Sequence, residues 1–139
     1  MSVELYVILH DRKVPTRKEW QGKIDSLRAP LKLDSSYDLR RDAGYLPADL
    51  AGEDSGFEFY LEDVTDYESS RWEIDLADRD KVAVFRVGSD PLEHVTALFA
   101  AGALAQISEG LCIQNGSDQP ASPEDFIKLA REEMDKVFS

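Results

Sequence analysis

The sequence contains one cysteine and two histidines, the residue types that most often act as nucleophiles and proton carriers. Cys112 and His10 both fall in or at the end of predicted strands, so the fold could bring them together as a nucleophilic pair. No Cys-x-x-Cys motif is present, and a predicted helix ends just before Cys112, which puts the wrong electrostatic end of a helix beside the thiol. We therefore expect Cys112 to be a buried apolar residue and not a catalytic one.

The second histidine, His94, falls in the first turn of a predicted helix, near Asp90 and Glu93. The positive end of the helix disfavours a protonated imidazole, whereas the two carboxylates favour it. These opposing effects could leave a general base that works near neutral pH, but an ordinary surface histidine is the simpler interpretation.

Carboxylates are numerous, and acid–base or metal chemistry would need two or three of them to converge. The grouped ones are Glu53 with Asp54, Glu58 with Glu62, and Asp75 with Asp78 and Asp80. The run Asp63–Glu68 is spaced partly like a calcium loop, but it lacks the glycine at the sixth position and the distal glutamate. One cysteine and two histidines are too few for a usual zinc site. We expect no metal and no cofactor.

Motifs that bind phosphate through a glycine-rich loop are absent from the sequence. Neither G-x-x-x-x-G-K-[ST] nor G-x-G-x-x-G occurs, and the G-x-S-x-G motif of hydrolases is missing too. The run Gly52–Gly56 is interpreted as a turn, and it places acidic residues where a phosphate would need bare amides. ATP, GTP and dinucleotides are therefore not expected ligands.

The net charge of −12 comes from 16 Lys and Arg against 28 Asp and Glu. It is unevenly distributed, because residues 53–80 alone hold two basic and eleven acidic side chains, a net charge of −9. Such a field repels nucleic acids and anionic membranes and attracts basic partners. We expect neither a nucleic-acid partner nor a membrane partner.

The same acidic segment carries aromatic side chains. Exposed aromatic rings among charges are typical of protein-binding hot spots, although a solvated acidic loop held to the domain by its rings is an equally good interpretation. The predicted partner-binding residues are Glu58, Tyr60, Glu62, Asp63, Asp66, Tyr67, Glu68, Trp72 and Asp75.

These features favour a non-enzymatic protein-binding module with an acidic, aromatic-bearing face for a basic protein. Immunity and inhibitor proteins that neutralise nucleases or toxins are comparable in size and charge, and the analogy extends no further. One alternative is a small-molecule-binding protein or a hydrolase-type enzyme that uses carboxylates with His10 or His94. Another is a homo-oligomeric structural subunit, so monomer and homodimer both stay open.

The elements that must position these residues fit a single domain, 1–139, which is a common domain size. No linker, repeat or low-complexity segment divides the chain. The N-terminal residues do not resemble a secretory signal, and the apolar stretch Val95 to Ile107 is shorter than the roughly 20 residues that span a bilayer. We expect a cytoplasmic protein.

Three helices are predicted, at about 17–28, 91–109 and 122–138. Thr16 and Glu19 form a capping box for the first, and Asp90 followed by proline starts the second. Ser122 caps the third. The second helix is apolar almost all round, so it should be buried, with Ala100, Ala101 and Gly102 letting another backbone come close.

The remaining segments predict an α+β fold with a mixed sheet of about five to six strands. The candidate strands are Val3 to Leu9, Leu31 to Leu33, Tyr37 to Arg40, Phe57 to Leu61, Trp72 to Leu76, Val82 to Val87 and Leu111 to Gln114. Strand–helix–strand order at both ends suggests parallel crossovers at the flanks, and the acidic middle suggests an antiparallel meander.

Overall fold

A computed structural model describes residues 3–67, 76–114 and 119–138, with all their side chains except those of Asp66 and Tyr67. These residues form an α+β fold with three helices and a six-stranded sheet, which confirms the predicted fold class. The strands are β1 (Val3–Leu9), β2 (Leu31–Leu33), β3 (Gly44–Leu50), β4 (Glu53–Asp63), β5 (Lys81–Val87) and β6 (Leu111–Gln114). The helices are α1 (Arg17–Ser26), α2 (Pro91–Ser108) and α3 (Pro123–Val137).

The predicted parallel crossovers, and with them the mixed character of the sheet, are wrong. The strand order is β2-β3-β4-β5-β1-β6, and each of these pairings is antiparallel. The connection through α2 does join two strands of the same direction, β5 and β6, but β1 lies between them. Similarly, β1 and β2 run the same way but lie on opposite sides of β3, β4 and β5. The helical connections therefore skip neighbours, and no parallel pair forms.

The helix starts are those that the capping residues predict. Thr16 and Glu19 form the capping box of α1, and Ser122 forms one with Asp125 at the start of α3. The Asp90 side chain accepts from the backbone N–H of Leu92 and begins α2. Among the described residues, none of the helices combines the length and apolar character that a membrane crossing requires.

Helix α2 is buried along most of its length, as its composition predicts. Twelve of its residues are buried, because the helix packs against the sheet and against both other helices. Gly102 allows α3 to come close, since a Cβ at that position would lie 2.7 Å from Cγ1 of Ile127 and 3.1 Å from the carbonyl oxygen of Pro123. A larger residue there would push α3 away from the core.

Trp20 joins α1 to both α2 and the sheet. Its side chain is fully buried, and its indole N–H donates a 2.9 Å hydrogen bond to the carbonyl oxygen of Ala100. Its ring packs against three phenylalanines of the sheet, with centroid distances of 6.3 Å to Phe57, 5.4 Å to Phe59 and 5.9 Å to Phe85. The position of α1 is thus fixed by one polar and three apolar contacts.

The opposite face of the sheet carries a second apolar cluster. Its buried members are Tyr6, Ile8, Val82, Val84 and Ile113. Tyr60, Val64, Leu76 and Leu111 are partly buried and also pack on it. The central strands β1 and β5 are therefore buried on both faces, which explains their nearly continuous apolar sequences.

One predicted strand, Tyr37 to Arg40, is wrong. The Asp38 carboxylate accepts the backbone N–H groups of Arg40 and Arg41 at 2.9 and 3.1 Å, so these donors are unavailable to a sheet. The chain instead forms a strand at β3, which the sequence does not indicate because Pro47 is unusual within a strand. The carbonyl of Pro47 faces the β2 side, where it accepts from the N–H of Asp34, and so the missing proline N–H removes no hydrogen bond to β4.

The predicted turn Gly52–Gly56 is also wrong in extent. The β3–β4 turn consists of Ala51 and Gly52, with φ of 53° and 87°, and β4 begins at Glu53. This two-residue turn with both φ values positive matches the twist of the strands. The predicted strand Trp72 to Leu76 lies outside the described residues apart from Leu76.

The edge strand β2 is capped by a side chain from α1. The amide of Gln21 donates to the carbonyl of Leu31 at 2.8 Å and accepts from the N–H of Leu33 at 2.7 Å. The amide therefore takes the place of a neighbouring strand. At the other edge, Ala121 donates its N–H to the carbonyl of Cys112 in β6 at 2.7 Å.

We predict that Trp20→Phe lowers the free energy of unfolding by about 1–3 kcal/mol, because it removes the N–H donor to Ala100 and leaves a gap, and that Trp20→Ala costs about 3–5 kcal/mol. Urea denaturation followed by circular dichroism measures both. A loss below about 0.5 kcal/mol for Trp20→Phe, within the range of ordinary surface substitutions, would contradict the role given to this side chain.

Candidate functional site

The predicted acidic face begins on the outer side of β4. Glu58, Tyr60 and Glu62 occupy alternate positions on one side of this strand, because successive side chains of a strand point to opposite faces. Tyr60 is partly buried against the second apolar cluster. Its hydroxyl donates a 2.6 Å hydrogen bond to Oε1 of Glu58, and this bond together with burial raises the pKa of the phenol.

Arg86 crosses this face and offsets part of its negative charge. It lies between Glu4 and Glu58 in the strand register, and it donates to Oε2 of Glu4 from Nε at 2.8 Å and from Nη2 at 2.6 Å. Its guanidinium carbon also lies 5.6 Å from the centroid of the Tyr60 ring. The Arg86 guanidinium therefore lies over the Tyr60 ring, and because Tyr60 is partly buried only part of this ring is accessible.

The other predicted partner-binding residues differ in how far the structure describes them. Asp63 is exposed and forms a 2.5 Å ion pair with Lys81. Glu62 has no hydrogen-bond or ion-pair partner among the described residues. The side chains of Asp66 and Tyr67, and all of Glu68, Trp72 and Asp75, lie outside the described part of the chain.

The structure does not bring Cys112 and His10 together. Cys112 pairs with Val7 on β1, three residues before His10, a separation of roughly 10 Å along a strand. The thiol is fully buried, and burial raises its pKa to about 12. It is therefore a neutral apolar group at physiological pH, as expected from the sequence.

The two predicted carboxylate pairs on β4 do not converge either, and Asp75 of the third group lies outside the described residues. Glu53 and Asp54 are successive strand residues and point to opposite faces, and Glu58 and Glu62 are four residues apart, roughly 13 Å. Nε2 of His94 is buried with no hydrogen-bond partner within the described part of the chain. Over those same residues, no three His, Cys, Asp or Glu side chains are grouped as metal ligands would be.

A basic pocket is the feature that sequence reasoning missed. It has a volume of about 380 Å³ and lies between the start of α1 and the loop 35–41. Its apolar wall comes from Pro15, Tyr37 and Leu39, which are buried. Its charged rim comes from three arginines and one aspartate.

The charge distribution contains the signal that could have indicated this pocket. Residues 10–41 hold nine Lys and Arg and five Asp and Glu, a net charge of +4, whereas the rest of the chain holds seven and 23, a net charge of −16. Over the whole of residues 1–52 this positive charge is nearly cancelled, because Glu4, Asp42 and Asp49 lie on either side of the basic part. The pocket lies inside the basic part.

We predict that Cys112 does not react with the thiol reagent DTNB in the folded protein at pH 8 and reacts fully once urea unfolds it. The reason is that the thiol is both inaccessible and protonated. The absorbance of the released thionitrobenzoate reports the reaction. Stoichiometric labelling of the native protein within minutes would contradict this burial.

Stability should also decline at alkaline pH. Burial raises the pKa of Cys112 from 9.0 to about 12 and that of Tyr37 from 10.0 to about 12, so the unfolded chain loses these protons first. Their contribution to stability is complete below pH 9 and is lost as the pH rises towards 12, at about 1.4 kcal/mol per pH unit for each group. Urea midpoints of the wild type, Cys112→Ala and Tyr37→Phe from pH 8 to 11 measure this decline. Both variants should lose stability less steeply than the wild type, and equal slopes in all three would contradict the assignment.

Comparison with protein-family models and with curated proteins finds no match to this chain. Its function must therefore be inferred from the charges, contacts and cavities of the chain itself.

Proposed function

We propose that the chain is a non-enzymatic binding module whose acidic face recognises a basic protein. The acidic face consists of Glu58, Tyr60 and Glu62 on one side of β4, with Asp63 at the end of the strand on its other side, together with the sequence-predicted residues Asp66, Tyr67, Glu68, Trp72 and Asp75. The observation that carries the proposal is the alternation on β4. It places the carboxylate of Glu58 on one side of the Tyr60 ring and that of Glu62 on the other, and Arg86 lies over this ring.

Electrostatic attraction would drive the first step of association. A net charge of −12 steers a cationic partner toward the protein and speeds association at low ionic strength. Salt screens this attraction, with a Debye length of about 8 Å at physiological ionic strength. Affinity for such a partner should therefore fall as the salt concentration rises.

The individual contacts assign different roles to the residues of the acidic face. Glu62 is free among the described residues, so it can pair with a partner's Lys or Arg without losing an internal contact. Asp63 would exchange Lys81 for a partner cation. Tyr60 offers the accessible part of a ring whose orientation is already fixed by Glu58 and Arg86, which limits the entropy lost on binding.

Cys112 and the carboxylates of β4 give little support to the alternative that the chain is a hydrolase-type enzyme. Cys112 is buried and protonated, and the carboxylates of β4 are too far apart to act on one substrate atom. The basic pocket contains neither a histidine nor a pair of carboxylates, which a hydrolase of the expected type would need.

We predict that Glu62→Lys/Asp63→Lys abolishes capture of a basic protein from an extract of the native cell at low salt. The matched control is Glu132→Lys/Asp135→Lys, which makes the same change of charge on exposed positions of α3. Quantitative pull-down at low and physiological salt, with size-exclusion chromatography of each variant, measures the effect. Recovery of no basic protein at low salt, or equal loss in both variants, would overturn the proposal.

A further inference from the structure

We infer that the basic pocket binds a small organic phosphate, with the phosphate on its arginine rim and the organic part on its apolar wall. This inference is independent of the proposed function, because the pocket and the acidic face share no residue. It rests on the shape of the cavity, on the donors around it and on the way neighbouring carboxylates are already engaged.

The pocket has the size and the two-sided character of a small-ligand site. Its volume of about 380 Å³ is at the lower end of the 300–1,000 Å³ typical of such sites. The wall formed by Pro15, Tyr37 and Leu39 is apolar, because the Tyr37 hydroxyl points inward and donates to the carbonyl of Gly44 at 3.2 Å. The apolar body of a ligand would contact the small exposed part of this wall, since Tyr37 and Leu39 are 8% and 4% exposed.

Two arginines on the rim donate no hydrogen bond from their guanidinium groups to any described residue, although Arg41 interacts electrostatically with the Asp38 carboxylate. Arg17 and Arg41 have no side-chain hydrogen bond or ion pair within the described ranges. Arg40 plays a different part, because it donates to Oδ1 of Asp11 at 2.7 Å and to the carbonyl oxygen of the same residue at 2.6 Å. That contact fixes one side of the loop 35–41 beside the start of α1.

The acidic residues of the loop are engaged with the loop itself. Asp38 accepts two backbone N–H groups, and Asp34 accepts the N–H of Ser36 at 3.3 Å and its hydroxyl at 3.0 Å. The rim holds three arginines against Asp38, and the Asp11 carboxylate paired with Arg40 reduces the local net charge to +1, on a protein with a net charge of −12. An anion would find here a local charge opposite to that of the whole molecule.

The donor set favours phosphate over carboxylate. A phosphate monoester carries nearly two negative charges and three acceptor oxygens, enough for two guanidinium groups and a hydroxyl at once. Ser35 and Thr16 supply hydroxyls at the same rim. The N-terminus of α1 is not what would bind the phosphate here. The Glu19 carboxylate already accepts the N–H of Thr16, and the Thr16 hydroxyl accepts the N–H of Glu19.

The test is titration of the full chain with phenyl phosphate, inorganic phosphate and benzoate, followed by two-dimensional amide NMR. We expect phenyl phosphate to shift the amides of Thr16, Arg17 and residues 35–41, and to bind several-fold more tightly than the other two. Tighter binding of benzoate would overturn the choice of phosphate. Equal binding of inorganic phosphate would overturn contact with the apolar wall.

Variants separate a defined site from diffuse surface charge. Arg17→Gln and Arg41→Gln should each weaken phenyl phosphate binding about tenfold, because each removes a charge-assisted hydrogen bond. Arg12→Gln makes the same change of charge outside the lining and should weaken it less than twofold. An equal effect of all three, or no shift at millimolar ligand, would overturn the inference. Glu62→Lys/Asp63→Lys should bind phenyl phosphate no less tightly than the wild type, so failure of the acidic-face proposal is distinguishable from failure of this one.

Discussion

The hydrogen bond from the Trp20 indole to the carbonyl of Ala100 joins α1 to the most deeply buried helix of the molecule. An unpaired indole N–H in this core would cost free energy, so the bond restricts how α1 can lie on the sheet. The three phenylalanine contacts of the same ring restrict it further. The position of α1 is consequently fixed, and its start lines the basic pocket together with the loop 35–41, which the Arg40–Asp11 contact holds.

The same architecture separates two surfaces of opposite charge. All three helices pack on one face of the sheet, in the larger core. The other face presents alternate residues of β4, where the carboxylates lie. The arginine rim instead belongs to connecting segments at the start of α1 and before β3. An acidic protein thereby keeps one local region that can attract anions, and each surface can act without the other.

Much of the fold could be predicted because the relevant signals are local. Capping residues such as Thr16 and Ser122 mark helix starts within four residues of sequence, and the apolar composition of α2 reveals its burial. The strand order could not be predicted in this way, since it depends on which strands β1 lies between. Likewise β3 was missed because Pro47 is unusual in a strand, and its tolerance depends on how short the neighbouring strand β2 is.

The candidate sites were predicted to different extents for the same reason. The alternation of Glu58, Tyr60 and Glu62 on β4 could be anticipated, because a period of two residues is visible in the sequence. The charge of residues 10–41 indicates a basic region but not the pocket itself, because Arg17 and Arg41 come to line one cavity through contacts between distant residues, such as that of Arg40 with Asp11. Side-chain bonds within the loop, above all those of Asp38, override the strand-like appearance of Tyr37 to Arg40.

The amide of Gln21 has a consequence for the behaviour of the protein in concentrated solution. Exposed strand edges can recruit strands from other molecules and so become templates for fibrils. Here the carbonyl of Leu31 and the N–H of Leu33 are satisfied within the monomer. A strand of a second molecule would have to displace this amide before it could pair with β2. A high protein concentration is therefore not enough by itself to extend the sheet at this edge.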